Sequence, residues 1–73
     1  MSKTIYSKDH KFLVERLKKA RIDASFDQNE IAKLLGMSQS YVSKMESGQR
    51  KIDIFQLKNL AKIYKKSLDY FLQ

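Results

Sequence analysis

Gln28-Asn29-Glu30-Ile31-Ala32-Lys33-Leu34-Leu35-Gly36-Met37-Ser38-Gln39-Ser40-Tyr41-Val42-Ser43-Lys44-Met45-Glu46-Ser47 holds two short apolar periods on either side of one glycine. Its entry, Asp27-Gln28-Asn29-Glu30, reads as a capping box, with Asp27 accepting from the first-turn amides and Glu30 reaching back. Ile31, Ala32, Leu34 and Leu35 follow at helical spacing, and Phe26 stands where a hydrophobic staple would. Gly36 supplies the left-handed residue that ends this helix without a Cβ clash. Ser38 caps a second helix, in which Tyr41, Val42 and Met45 recur at helical spacing, and Gly48 ends it. The spacing predicts two short helices joined by a tight turn. Ala32 must be small where they cross, while Ile31, Leu35, Met37, Val42 and Met45 face the core and set the crossing angle.

On the amino-terminal side, Leu13, Leu17 and Ala20, with Phe12 beside them, form the apolar stripe of a helix that Asp9 is placed to cap. Lys11, Glu15, Lys18 and Lys19 make its solvated face. Residues 1–8 are polar apart from Ile5 and Tyr6, carry no period, and read as a flexible arm. On the carboxyl side, Gln49-Arg50-Lys51 is a basic loop. Asp53 then caps a helix with Ile54, Leu57, Leu60, Ala61 and Tyr64 inward, and Ser67 opens a last turn holding Leu68, Phe71 and Leu72. The expectation is an all-α, compact five-helix domain over residues 9–73, preceded by the arm.

A chain of 73 residues has room for one core, and a domain this small buries only about 60% of its unfolded surface. There is no Cys, and His10 is the single histidine, so disulfides, thiolate metal sites and a histidine zinc site are not expected. No apolar run approaches the roughly 20 residues of a membrane span, and residues 1–9 hold no signal-peptide core. A cytoplasmic protein is expected. Fifteen Lys plus Arg against eight Asp plus Glu leave a net charge of +7, which suits an anionic partner: nucleic acid, a membrane surface or an acidic protein. A membrane-surface segment needs one long helix with a clean basic face, and the breaks at Gly36 and Gly48 argue against it. No nucleophile–base pair, metal cluster or phosphate-cradling glycine loop is spaced for chemistry, so neither an enzyme nor a cofactor or small-molecule site is expected.

The outward positions of the second helix of the opening stretch are Gln39, Ser40, Ser43 and Lys44, all polar. A major groove admits one helix, and its base edges match such side chains: Gln pairs bidentately with adenine, Lys donates to guanine. The two helices and their turn follow the helix-turn-helix plan. The chain resembles the Cro/cI-like helix-turn-helix family, which includes the lambdoid phage repressors and many small bacterial regulators. The resemblance rests on Arg16-Leu17-Lys18-Lys19-Ala20-Arg21, Gln28-x-x-Ile31-Ala32, Leu35-Gly36-Met37-Ser38-Gln39-Ser40-Tyr41-Val42-Ser43-Lys44-Met45-Glu46-Ser47-Gly48 and Leu57-x-x-Leu60-Ala61. Each motif alone is weak; their joint order and spacing are specific.

That resemblance implies a lambda-repressor-like fold with its third helix in the major groove of double-stranded DNA. Gln39, Ser40, Ser43 and Lys44 become the base-contact residues, and Gln28, Ser38, Tyr41, Arg50 and Lys51 the phosphate contacts. It also pairs a first-helix arginine with an acid at the end of the third helix, here Arg21 and Glu46, which makes Glu46 structural. Three positions depart from the family pattern: Asp27 stands for a neutral cap, Ile52 for a proline, and Lys66 for an apolar residue near the last turn. Lys58, Lys62, Lys65 and Lys66 read as a solvated face and not a second DNA site. One helix reads too few base pairs to find a genomic site, so a homodimer on an inverted-repeat operator is expected, with Leu68, Tyr70, Phe71 and Leu72 at its interface. The function implied is a sequence-specific, repressor-like transcriptional regulator associated with the nucleoid. The competing reading is a protein-interaction module on the same fold with only non-specific DNA affinity, which charge reversal at Lys44 and Arg50 distinguishes.

Overall fold

Polar punctuation sets where each helix begins and ends. The computed structural model describes residues 8–72, which form α1 (Lys8–Asp23), α2 (Gln28–Leu35), α3 (Gln39–Glu46), α4 (Ile54–Tyr64) and α5 (Leu68–Leu72). The capping box at α2 is complete: Asp27 Oδ1 accepts from Glu30 N at 2.8 Å, and Glu30 Oε1 accepts from Asp27 N at 2.8 Å. Ser38 Oγ accepts from Tyr41 N at 3.0 Å to start α3, and Asp53 Oδ1 accepts from Gln56 N at 2.8 Å to start α4. Each cap satisfies a backbone donor that the first helical turn cannot satisfy internally. The first helix differs from expectation. It begins at Lys8, so Asp9 is not its cap but lies inside its first turn, where a carboxylate still favours the helix dipole. Lys8 lies in α1, and residues 1–7 of the expected arm lie outside the described residues.

Eleven residues make one buried cluster. Leu17 and Ala20 come from α1, Ile31 and Ala32 from α2, Val42 and Met45 from α3, Leu57, Leu60, Ala61 and Tyr64 from α4, and Phe71 from α5. Fully burying a large apolar side chain contributes about 1.5–3 kcal/mol, so these positions dominate the stability. α2 and α3 pack closely on each other, and α1 lies across α3, α4 and α5. Phe26 packs half-buried against the cluster, its ring centroid 6.4 Å from that of Tyr64. Among the described residues no helix is long and apolar enough to cross a membrane.

Three apolar positions expected inside are exposed: Leu34, Met37 and Ile54. Ile31 and Ala32 centre the inner face of α2, and Leu35 falls within it. Leu34 lies roughly 100° further round the helix and is 58% exposed. Met37 sits in the turn between α2 and α3, and Ile54 is the first residue of α4, at the margin of the core. Phe55, beside it, is 75% exposed. Conversely, Val14, outside the expected stripe, is buried, whereas its neighbour Leu13 is half-buried.

Candidate nucleic-acid interface

α3 divides cleanly into two faces. Val42, Met45 and Glu46 are buried, whereas Gln39, Ser40, Ser43 and Lys44 are all exposed on the other side. The outer face carries no carboxylate. The one acid of the helix, Glu46, is turned into the protein and only 9% exposed.

Arg21, near the end of α1, holds Glu46 through two parallel hydrogen bonds. Its Nε donates to Oε2 at 2.7 Å and its Nη2 to Oε1 at 3.1 Å. The remaining nitrogen, Nη1, donates to the carbonyl of Phe26 at 2.8 Å. The fork of a guanidinium matches a carboxylate in this way, which is geometry that Lys does not offer. The hydrogen bond to Glu46 raises the Arg21 pKa above the ordinary arginine value, outweighing desolvation, which acts the other way. Nearby, burial pushes the Tyr64 hydroxyl well above the usual tyrosine range; the negative charge of Glu46 adds to this and Arg21 opposes it.

The pair extends outward to the surface of α3. Gln28 Nε2 donates to Glu46 Oε1 at 3.1 Å, and Gln28 Oε1 accepts from Gln39 Nε2 at 2.6 Å. Arg21, Glu46, Gln28 and Gln39 therefore form one chain from a buried cation to an exposed amide. Gln39 spends one N–H on Gln28 and retains a second N–H and its carbonyl oxygen. A donor beside an acceptor is what the major-groove edge of adenine pairs with. Gln28 itself is half-buried with both ends of its amide engaged inside the protein.

At the other side of α3, residues from three elements meet. The Arg50 guanidinium lies 4.3 Å from the centroid of the Tyr41 ring, and Gln56 Nε2 donates to Tyr41 Oη at 2.7 Å. Lys51 is exposed beside them in the loop after α3, and Ser38 keeps its hydroxyl on the cap of α3. Gln56 was not among the residues singled out from the sequence. Its position three residues after Asp53 marks it as a first-turn residue of α4, but nothing in the sequence pairs it with Tyr41.

The expected dimer residues do not form one exposed face. Phe71 is 1% exposed, and its side chain closes the core. Leu68 and Tyr70 are half-buried against the core. Tyr70 is further held by cations, with Arg16 at 4.7 Å and Lys66 at 4.7 Å from its ring centroid, while Arg16 also lies 4.9 Å from the Phe12 ring. Lys66 Nζ lies 3.8 Å from Asp23 Oδ2 at the end of α1, a solvent-screened surface pair. Only Leu72 presents an exposed large apolar side chain in α5.

A family model described as helix-turn-helix matches residues 17–71, well over half of the chain. Comparison with curated proteins and with solved structures gives no match. The match runs from α1 through α5 and so takes in Arg21, Glu46 and the whole of α3. On that match, and with an all-helical domain whose α3 turns a carboxylate-free face outward, the chain belongs to the Cro/cI-like helix-turn-helix family of DNA-binding proteins.

Proposed function

We propose that this protein is a sequence-specific, repressor-like transcriptional regulator that binds double-stranded DNA as a homodimer on an inverted-repeat operator. The chain from Arg21 through Glu46 and Gln28 to Gln39 is the observation that supports it most. A solvated glutamine samples many rotamers, and ordering it on a base costs side-chain entropy. Here that ordering precedes binding. Gln39, Ser40, Ser43 and Lys44 read base edges from the major groove, and Tyr41, Arg50 and Lys51 grip the flanking backbone together with Ser38. Gln28 acts chiefly by aligning Gln39, and its place at the start of α2 sets it beside amides and a helix dipole that favour a phosphate. The net charge of +7 draws the domain to DNA irrespective of sequence.

The dimer follows from information content, since one helix reads only a few base pairs. Leu72 and the outer edges of Leu68 and Tyr70 are the surface available for it in α5. Selection of randomised duplexes on the purified protein at about physiological salt tests the whole reading, because non-specific attraction is largely suppressed there. The expected product is an inverted repeat with half-sites about 34 Å apart, one helical turn. Binding confined to low salt, with no enriched motif, would favour a protein-interaction module instead.

A further inference from the structure

Tyr41, Arg50 and Gln56 come from α3, the loop that follows it, and the first turn of α4. The Arg50 guanidinium stacks 4.3 Å from the Tyr41 ring centroid, and Gln56 Nε2 donates to Tyr41 Oη at 2.7 Å. Gln56 is well placed to hold a direction, because its own backbone amide is fixed by the Asp53 cap at 2.8 Å and its neighbour Leu57 is buried in the core.

The direction of that bond matters chemically. A tyrosine hydroxyl has one proton to donate and lone pairs that accept. When Gln56 donates to the oxygen, the hydroxyl proton is left to point elsewhere. The Arg50 guanidinium lies over the Tyr41 ring, and its N–H groups, which lie in the guanidinium's own plane, point outward from its edge. Both groups therefore present a donor on the side of α3 away from the Gln28–Gln39 bond. Without Gln56, the hydroxyl rotates freely and donates as readily to a carbonyl or to water.

We infer that Gln56 is a positioning residue for DNA binding: by donating to Tyr41 Oη it aims the hydroxyl proton of Tyr41, alongside the stacked Arg50, at a backbone phosphate. This rests on the DNA-binding reading proposed above and adds to it a residue that does not itself touch DNA. Gln56 differs in this from Arg50 and Lys51, whose charges act on phosphates directly. Its contribution is neutral and passes through one hydroxyl.

The test is a double-mutant cycle on a fluorescent duplex of mixed sequence, with affinity measured across a series of NaCl concentrations. The proteins are wild type, Gln56→Glu, Tyr41→Phe, the two combined, and Arg50→Ala, each checked by thermal melting for an intact fold. Glu keeps the size of Gln and still bonds to the hydroxyl, but as an acceptor, so it turns the Tyr41 proton inward. Its added negative charge weakens binding equally with or without that hydroxyl. The expected result is that Gln56→Glu costs about fivefold more affinity in the wild-type background than in the Tyr41→Phe background, the excess being one charge-assisted hydrogen bond to phosphate. Tyr41→Phe alone lowers affinity and leaves the salt slope unchanged, whereas Arg50→Ala reduces the slope by about 0.9. Equal losses from Gln56→Glu in both backgrounds overturn the positioning role, as does wild-type affinity in Tyr41→Phe. Wild-type protein with no salt-dependent DNA binding overturns the underlying reading, and the role of Gln56 with it.

Discussion

Glu46 accepts three side-chain hydrogen bonds, two from Arg21 and one from Gln28, whose other end holds Gln39 on the outer face of α3. Glu46→Ala leaves Arg21 as a largely buried cation without its counter-charge, which costs about 3–5 kcal/mol. Urea denaturation should register that loss before any DNA assay does. Replacing both partners together, Arg21→Met with Glu46→Leu, should recover most of the stability while DNA affinity stays low, because Gln28 and Gln39 have lost their anchor. A double variant that regains full DNA binding would show that the chain does not align Gln39. Tyr64 makes the opposite case. Its hydroxyl is buried and has no hydrogen-bond partner among the described residues, so Tyr64→Phe should stabilise the domain at neutral pH by about 1 kcal/mol. Its pKa is raised on folding, chiefly by burial. The folded state thus holds this proton more tightly than the unfolded chain does. The contribution is full below the unfolded value of about 10 and is lost as pH rises towards the higher folded value. Tyr64→Phe should flatten that alkaline decline in melts recorded above pH 10.

Helices α1 to α4 end by the same device. In each, a residue with φ between 57° and 86° turns the chain, at Ser25, Gly36, Gly48 and Lys65. The following amide bonds back to a carbonyl five residues earlier: Phe26 to Arg21, Met37 to Ala32, Gln49 to Lys44 and Lys66 to Ala61. This left-handed cap satisfies carbonyls that a helix end would otherwise leave open. Glycine adopts the conformation freely, whereas a residue with a Cβ is strained in it by about 1–2 kcal/mol. Ser25→Gly and Lys65→Gly should therefore each raise stability, by about 0.5–1 kcal/mol after the entropy cost of glycine in the unfolded chain. Gly36→Ala should lower it by about 1 kcal/mol although open space surrounds the position, because only the backbone conformation resists. Chemical denaturation of the three variants measures these signs, and a destabilised Lys65→Gly would mean that the Lys65 side chain contributes more than its backbone costs.

At the scale of the whole domain, α5 is five residues long and cannot persist alone. It is held by Phe71 in the core and by Arg16 and Lys66 on the Tyr70 ring. Phe71→Ala should cost about 3–5 kcal/mol, a large share of what a small domain possesses. Were Phe71 an interface residue, that loss would shrink on dilution of the wild type towards monomer. As a core residue it should give the same loss at every protein concentration, whereas Leu72→Ala should leave folding intact and, if α5 forms the dimer contact, shift only the dimer equilibrium. Sedimentation and denaturation of both variants over a concentration series separate the two roles.

Helix-making information is local, and so the five helices, the caps at Asp27, Ser38 and Asp53, the breaks at Gly36 and Gly48, and the family can all be read from the order of residues. A cap acts within three residues and an apolar stripe within one helix, so both are written where they act. The Arg21–Glu46 pair was legible only through family resemblance, because nothing local joins residues 25 positions apart. Tertiary structure alone decided which apolar residues the core accepts: Phe71 entered, while Leu34, Met37 and Ile54 stayed outside. Periodicity names a face but not where its partner helix stops covering it. Structure alone also paired Gln28 with Gln39 and Gln56 with Tyr41, and allowed Ser25 and Lys65 to take the left-handed positions that sequence assigns to glycine. Those outcomes depend on how helices distant in the chain pack, and packing free energy outweighs the preference of any single residue.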